Sequence, residues 1–366
     1  MLYFALWILF STGYLISISR ASNGLFRRVF PWAVLLLITG LSGIRWATGT
    51  DWESYLTFYE SGGDFHDYMS YWHFELGFKF LIWLLHFLGI GYSFWLIILT
   101  FLVLVIKFAP IRDRPYVAVC FLVLFGSSMA NLFPTRETLA VSLVILSASY
   151  LVQRRFLIFI FFIVLAALFH STAIIFVFAP FILRASYRSL VIFALVGGIL
   201  LNFLLYKIVA VVATQLGLTD LLLSAQLYAD TISGRTSVFS IAQKVIILLF
   251  FAGVLSKCKD NMTPFELASV KLTCFGLIAS MVLESGSQIF NRLTVYFVSF
   301  EIISVSALIW LYSKELILRK SYIQLLTLYV SACMFYCIRF CGLLASYPDL
   351  YYPFETIFQS SHRAVY

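Results

Sequence analysis

The sequence predicts an all-α integral membrane protein with about twelve transmembrane helices. Of its 366 residues, 62% are hydrophobic and 11% are charged, and the mean hydropathy is +0.97. Runs of 17 or more apolar residues need lipid as their solvent. No polar stretch exceeds roughly 30 residues, well short of a typical soluble domain. We therefore expect a single polytopic membrane domain over residues 1–366.

Apolar segments separated by short polar loops define the predicted spans. Each is rich in Leu, Ile, Val and Phe, and several are short for a bilayer crossing. The twelve segments lie near residues 2–19, 29–44, 92–108, 116–131, 137–152, 156–169, 171–183, 189–213, 238–256, 264–284, 293–312 and 321–341.

Clusters of Lys and Arg set the predicted orientation. Loops rich in these residues stay in the cytoplasm, and twelve crossings place all six clusters there with both termini outside. The net charge of +8 is therefore a topology signal and does not indicate nucleic acid binding. The clusters are Arg20/Arg27/Arg28, Lys107/Arg112/Arg114, Arg154/Arg155, Arg184/Arg188, Lys257/Lys259 and Lys314/Arg319/Lys320.

The segment 74–90 is apolar enough to cross, but a crossing there would move the Lys107 cluster outside. Its mixture of polar and apolar side chains favours a helix that lies at the interface or re-enters the membrane. The predicted outer regions are then the first periplasmic loop 45–73, a second large periplasmic loop 214–237, the periplasmic C-terminal tail 342–366, and the short segments 132–136 and 285–292.

Arg136 opens the span 137–152, with Thr135 as a candidate N-cap. An arginine at a helix end often only reaches toward the interface. Here it lies on the predicted outer side, against the usual bias, and a helix N-terminus already favours anions. The pattern is typical of a phosphate site.

His170 lies between two apolar spans in the run ALFHSTAIIF. A histidine at such a junction is often a hydrogen-bonded core residue, but its ordinary pKa of about 6.5 also suits a proton acceptor. Arg292 follows Glu284 and Gln288 at helical spacing, and Arg45 ends the second span close to Asp51. We expect Arg45 at the rim of an outward-facing cavity.

The first outer loop contains two acidic pairs, Asp51/Glu53 and Asp64/Asp67, among aromatic residues. Paired acids are able to bind a divalent ion, but an acid-x-acid pattern is common, and we expect no metal and no other cofactor. The six cysteines show no disulfide framework, and Cys333, Cys337 and Cys341 are expected to be packing residues.

The order of these motifs resembles the EpsG family, multi-spanning proteins of polysaccharide assembly grouped with Wzy-type O-antigen and capsule polymerases. Glu137 departs from the family pattern, which usually has Gln after the arginine. The matching runs are Arg45…Gly49-Thr50-Asp51…Tyr55, Glu75-x-Gly77-Phe78, Arg136-x-x-Leu139-Ala140, Ala166-x-x-Phe169-His170-Ser171, Arg292-x-x-x-Tyr296 and Tyr351-Tyr352-Pro353-Phe354.

The resemblance implies a polymerase of the bacterial inner membrane with a helical, GT-C-like fold, whose active site faces the periplasm or exterior. It would transfer a glycan from one undecaprenyl diphosphate carrier onto a newly delivered carrier-linked repeat unit. The implied partners are these lipid-linked glycans, membrane lipid and a chain-length-regulating membrane protein. The candidate catalytic residues are His170, Arg136 and Arg292, and the candidate substrate-binding residues are Arg45, Asp51, Glu75, Glu284, Gln288 and Tyr296.

Two alternatives remain open from the sequence. A flippase or transporter of lipid-linked oligosaccharide would carry arginines along a path at the membrane midplane and often shows repeated halves. A membrane O-acyltransferase using His170 would usually need a cytosolic thioester site, for which the cytoplasmic loops are short.

Overall fold

Helices make up most of the described chain, as the apolar segments predict. The computed structural model describes residues 1–19, 24–49, 51–61, 63–70, 74–190, 192, 196, 238–283, 288–352 and 354–358. The chain divides into two compact units. Unit 1 contains Met1–Ile174 and Ser306–Tyr366, and unit 2 contains Ile175–Val305.

The first part of unit 1 contains nine helices among its described residues, joined by short turns. They are α1 (Leu2–Ile18), α2 (Gly24–Ile44), α3 (Trp52–Glu60), α4 (Phe65–Ser70), α5 (Leu76–Phe87), α6 (Tyr92–Phe108), α7 (Val117–Ser127), α8 (Arg136–Val152) and α9 (Phe156–Phe169). Short 3-10 turns follow α6 and α7 at Ala109–Ile111 and Met129–Asn131, and a strand, β1, covers Arg45–Trp46.

A 3-10 helix at Ser171–Phe178 follows α9 and runs from unit 1 into unit 2. The described helices of unit 2 are α10 (Ala179–Arg184), α11 (Val238–Cys258), α12 (Pro264–Leu283) and α13 (Gln288–Val298). The chain returns to unit 1 within α14 (Glu301–Leu318), followed by α15 (Tyr322–Ser346), α16 (Pro348–Tyr351) and β2 (Glu355–Thr356). The predicted second periplasmic loop, 214–237, and most of the span 189–213 lie outside the described residues.

The described helices confirm an all-α membrane protein. By length and composition, six of them are able to cross a bilayer: Gly24–Ile44, Tyr92–Ile111, Val238–Asn261, Pro264–Leu283, Arg292–Leu318 and Tyr322–Ser346. Five further apolar helices are shorter, at 10–17 residues. The total of twelve crossings stays a prediction.

Two predicted spans are interrupted for local reasons. The span 116–131 stops being helical at Ser127, because Ser128 is extended and its hydroxyl accepts from the Ala130 amide to cap a 3-10 turn. The span 171–183 begins as a 3-10 helix and becomes α-helical only at Ala179, where Pro180 occupies the first turn.

The segment predicted to be interfacial forms α5, which has only 12 residues. At 1.5 Å per residue it is about 18 Å long, against about 30 Å of hydrocarbon. Both of its ends contact the first outer loop: Phe74 packs on Tyr55, and His86 packs on Tyr59. These contacts favour a helix that returns to the side from which it started.

A close approach fixes α5 against α9. A Cβ added to Gly77 would lie 2.8 Å from the carbonyl oxygen of Leu168, which is too close for any side chain. The opposite face of α5 packs Phe78 and Ile82 into an aromatic core shared with α3 and α6. Glycine at 77 therefore sets the distance between the two helices.

The C-terminal tail closes over the first outer loop. Strands β1 and β2 are antiparallel, pairing Arg45 with Thr356 and Trp46 with Glu355. Gly49, at a φ of +109° that favours glycine, donates its amide to the Leu350 carbonyl at 2.9 Å. The tail and the first loop therefore belong to the same side of unit 1, as predicted for two outer regions.

Lys107 was expected in a cytoplasmic cluster of basic residues, but it lies in the interior of unit 1. Its side chain is buried and donates from Nζ to Asn131 Oδ1 at 2.7 Å. The Asn131 amide nitrogen in turn donates to the Leu124 carbonyl and the Ser127 hydroxyl. The long lysine side chain turns inward because the turn after α7 supplies an acceptor there.

Unit 2 packs through small and aromatic residues. Gly276 of α12 approaches the backbone of α13 at Phe297 and Val298, and Phe176 stacks on Phe300. Lys271 donates from Nζ to the carbonyl oxygens at the end of α10.

Candidate active site

Arg136 is the first residue of α8, as the sequence predicts. Thr135 is the N-cap, and its amide donates to the Thr138 hydroxyl at 2.8 Å as part of a capping box. This cap fixes where the helix begins. It places the Arg136 side chain beside the positive end of the helix dipole.

The Arg136 side chain pairs with Glu75, which lies just before α5. Arg136 Nη1 lies 2.5 Å from Glu75 Oε2, and the two side chains are 23% and 20% exposed. The guanidinium also lies over the ring of Phe74, with 4.9 Å from Cζ to the ring centroid. The pair is thus partly desolvated but still open to a ligand.

The second oxygen of Glu75 is bound by the junction after α9. The Ser171 amide donates to Glu75 Oε1 at 3.1 Å, and its hydroxyl lies 3.5 Å from the same oxygen. Three separate sequence motifs, around residues 75, 136 and 170, are therefore brought together in unit 1. The carboxylate of Glu75 is their common acceptor.

His170 immediately precedes Ser171 and is the C-cap of α9. Its ring is largely buried, and Nδ1 lies 2.8 Å from the Thr172 hydroxyl. This hydrogen bond orients the imidazole ring. The prediction that His170 is the catalytic base is left untested by this geometry.

Tyr55 connects the first outer loop to α8. Its hydroxyl donates to Asp51 Oδ2 at 3.0 Å and accepts from the Arg136 amide at 3.1 Å. Burial raises the pKa of Tyr55 well above its ordinary value, and the neighbouring Asp51 carboxylate adds to the rise. The phenol is therefore neutral near pH 7 and satisfies one of the first amides of the helix.

Arg45 was expected at the rim of a cavity, but it is buried inside unit 1. It is 3% exposed and lies 5.4 Å from the centroid of the Phe133 ring, with β2 paired to its backbone. The reason is the antiparallel pairing of β1, directly after α2, with β2 of the tail. A contact of Arg45 with substrate stays a prediction.

The Arg45 guanidinium faces a small internal space. The cavity has a volume of about 20 Å³, enough for about one water molecule, and its lining includes Asp51, Tyr55 and Tyr351. Arg45 Nε has no hydrogen-bond partner among the described residues. Burial lowers the pKa of Arg45, opposed by the surrounding tyrosines and Asp51.

The other predicted site residues belong to unit 2 or lie outside the described residues. Arg292 is exposed on α13. Tyr296 is fully buried, so the structure gives no support to a substrate contact by Tyr296. Glu284 and the side chain of Gln288 lie outside the described residues. The joint action of Arg136 and Arg292 stays a prediction.

Asp51 and Asp64 of the first loop have local partners. Asp64 Oδ1 accepts the amides of His66 and Asp67, which caps the start of α4. Asp51 accepts from Tyr55, as described above. All six cysteines are free thiols.

Two residues of this site were missed by sequence reasoning. Tyr55 entered the prediction only as the end of the Arg45 motif, and Ser171 only as part of the His170 motif, neither with a role of its own. A signal existed for Tyr55, because Asp51 and Tyr55 are one helical turn apart and are able to bond each other at the start of α3.

These features define a polytopic helical membrane protein with a partly buried ion pair at a helix N-terminus. Comparison with known families identifies it further: the model of the EpsG family matches residues 28–356. The chain belongs to the EpsG family, which confirms the resemblance noted in its motifs and indicates a membrane polysaccharide polymerase-like function. No curated protein and no solved structure matches the chain.

Proposed function

We propose that this protein is a GT-C-like polysaccharide polymerase of the bacterial inner membrane, acting at the outer face on undecaprenyl-diphosphate-linked glycans. The observation that carries the proposal is the Arg136–Glu75–Ser171 cluster at the N-terminus of α8. It combines a bidentate cation, a helix dipole and partial burial, which together suit a diphosphate.

The proposed reaction exchanges one bond at the anomeric carbon for another. An acceptor hydroxyl oxygen bonds to C1 of the donor glycan, and the bond from C1 to the diphosphate oxygen breaks. The electron pair leaves with the lipid diphosphate, and the hydroxyl proton passes to a base. Arg136 stabilises the charge that grows on the departing diphosphate.

His170 is the proposed base, and Glu75 holds Arg136 in place. Both Glu75 oxygens accept hydrogen bonds, one from Arg136 and one from Ser171. A carboxylate with both oxygens bonded is better suited to orient Arg136 than to accept the proton of the acceptor hydroxyl. A positioned base of this kind typically contributes on the order of 100- to 10,000-fold to the rate.

The test is Arg136→Lys in a deletion strain of the native host. Lysine keeps the charge but loses the planar fork, so long polymer should disappear while the single-repeat product and the protein level are kept. Arg155→Lys is the matched control, since Arg155 is an arginine outside the cluster and should leave the chain length unchanged. Full-length polymer from Arg136→Lys would contradict the proposal.

The same experiment separates the alternatives. Loss of a flippase would remove the single-repeat product as well, because no repeat unit would reach the outer face. Loss of an O-acyltransferase would leave chain length intact and remove acyl groups. Reporter fusions at Gly63 and at Arg155 should read outside and cytoplasmic respectively, and the reverse result would place the cluster on the wrong face.

A further inference from the structure

A second, larger cavity lies in unit 1, away from the Arg136 cluster. It has a volume of about 610 Å³ and is formed by the first half of α2, the end of α6, the 3-10 turn after it and the start of α7. Four arginines line it: Arg27, Arg28, Arg112 and Arg114.

The lining carries a clear excess of positive charge. Asp113 is the single acid among the lining residues, which leaves a formal excess of three positive charges. Asp113 lies 3.3 Å from Arg112, but the two side chains are 89% and 79% exposed, so their pairing is weak. The arginines come from two separate segments that converge on one space, which an anion is able to bridge.

The wall of the cavity is apolar. Phe108 and Phe121 pack together with 4.9 Å between ring centroids, and Leu35 and Trp32 extend the surface along α2. Trp32 is 55% exposed and continues an exposed apolar face of α2 with Leu25, Val29 and Leu36. Their spacing of three and four residues places them on one side of the helix.

We propose that this cavity binds an anionic phospholipid of the membrane. Its phosphate would lie among the arginines, and its acyl chains would follow Trp32 and the exposed face of α2. A soluble anion would make no contact with the apolar wall, and a zwitterionic lipid has no net charge to attract the arginines. Basic pockets between membrane helices are a recurrent form of lipid headgroup site. The site does not depend on the proposed polymerase activity.

The test measures retention of lipid by purified full-length protein, using native mass spectrometry in detergent. Phosphatidylglycerol is compared with phosphatidylcholine of the same acyl chains, and glycerol phosphate is added as a soluble competitor. The double variant Arg28→Gln/Arg112→Gln removes two lining charges. Arg155→Gln/Arg319→Gln is the matched control, because it removes the same charge outside the cavity.

The wild type should prefer phosphatidylglycerol, and the lining variant should lose that preference by about 25-fold. This is about fivefold for each arginine, or ~1 kcal/mol each. Arg28→Lys/Arg112→Lys should keep most of the preference, which separates loss of charge from loss of fold. Equal retention of both lipids, an equal fall in the control variant, or full competition by glycerol phosphate would each overturn the proposal.

Discussion

Replacing Tyr55 by phenylalanine tests how the first outer loop acts on the ion pair. The phenol is 1% exposed and makes two hydrogen bonds, to Asp51 at 3.0 Å and from the Arg136 amide at 3.1 Å. Phenylalanine keeps the ring in its aromatic core but leaves both groups without this partner.

The expected cost follows from these two bonds. A hydrogen bond to a charged group contributes about 1.5–3 kcal/mol and one to a neutral group about 0.5–1.5 kcal/mol. The free energy of unfolding should therefore fall by ~2–4 kcal/mol. A shift of the α8 terminus by 1 Å would displace the Arg136 side chain, an error that typically costs on the order of 100-fold in rate.

Tyr92→Phe is the matched control. Tyr92 belongs to the same aromatic core, and its hydroxyl donates to the Trp52 carbonyl at 2.9 Å, not to Arg136. Both variants should lower the unfolding temperature, but only Tyr55→Phe should shorten the polymer at equal protein level. If Tyr55 acts through Arg136, Tyr55→Phe should add little to the loss from Arg136→Lys. Wild-type chain length in Tyr55→Phe, or equal shortening in Tyr92→Phe, would refute the reasoning.

Three further predictions concern the chemistry and its pH dependence. His170→Ala at normal abundance should abolish long polymer and keep the single-repeat product, measured by gel analysis of the surface glycan; unchanged length would move the base elsewhere. Purified enzyme should keep most of its activity with a strong chelator present, since arginines neutralise a diphosphate without an ion; a loss that magnesium restores would indicate a metal site. Burial raises the pKa of Tyr55, so the neutral phenol is favoured in the folded protein. This contribution is fully present below pH ~10 and is lost as the pH rises through the folded-state pKa. The unfolding temperature should begin to fall as the pH rises above ~10 in the wild type and fall less steeply in Tyr55→Phe; equal slopes would show that the tyrosine does not contribute.

Features that depend on a few neighbouring residues were predictable from the sequence. The N-cap at Thr135 and the start of α8 at Arg136 follow from short-range capping rules. The segment 74–90 was expected to be interfacial or re-entrant, because a crossing there conflicted with the basic clusters around it. The structure has the short helix α5 there, and its place in the membrane stays a prediction. Both predictions used information within one or two helices.

Features that depend on distant partners were not predictable in the same way. Glu75 and Arg136 are 61 positions apart, and hydropathy does not say which loop residue meets a given helix end. Arg45 ends the second predicted span and was expected at a rim, but strand β2, more than 300 residues later in the sequence, pairs with it. Tyr296 fits a family motif, yet its side chain is fully buried on α13.

The pairing of β1 with β2 has a consequence for the order in which the protein assembles. During translation the first outer loop emerges long before Glu355 and Thr356, which pair with it. Until then Arg45 and Gly49 lack their backbone partners, although α1, α2 and α6 are already available to insert. The pairing at Arg45 therefore forms only after these helices have been made, and a chain that stops short of residue 350 would insert its helices without it.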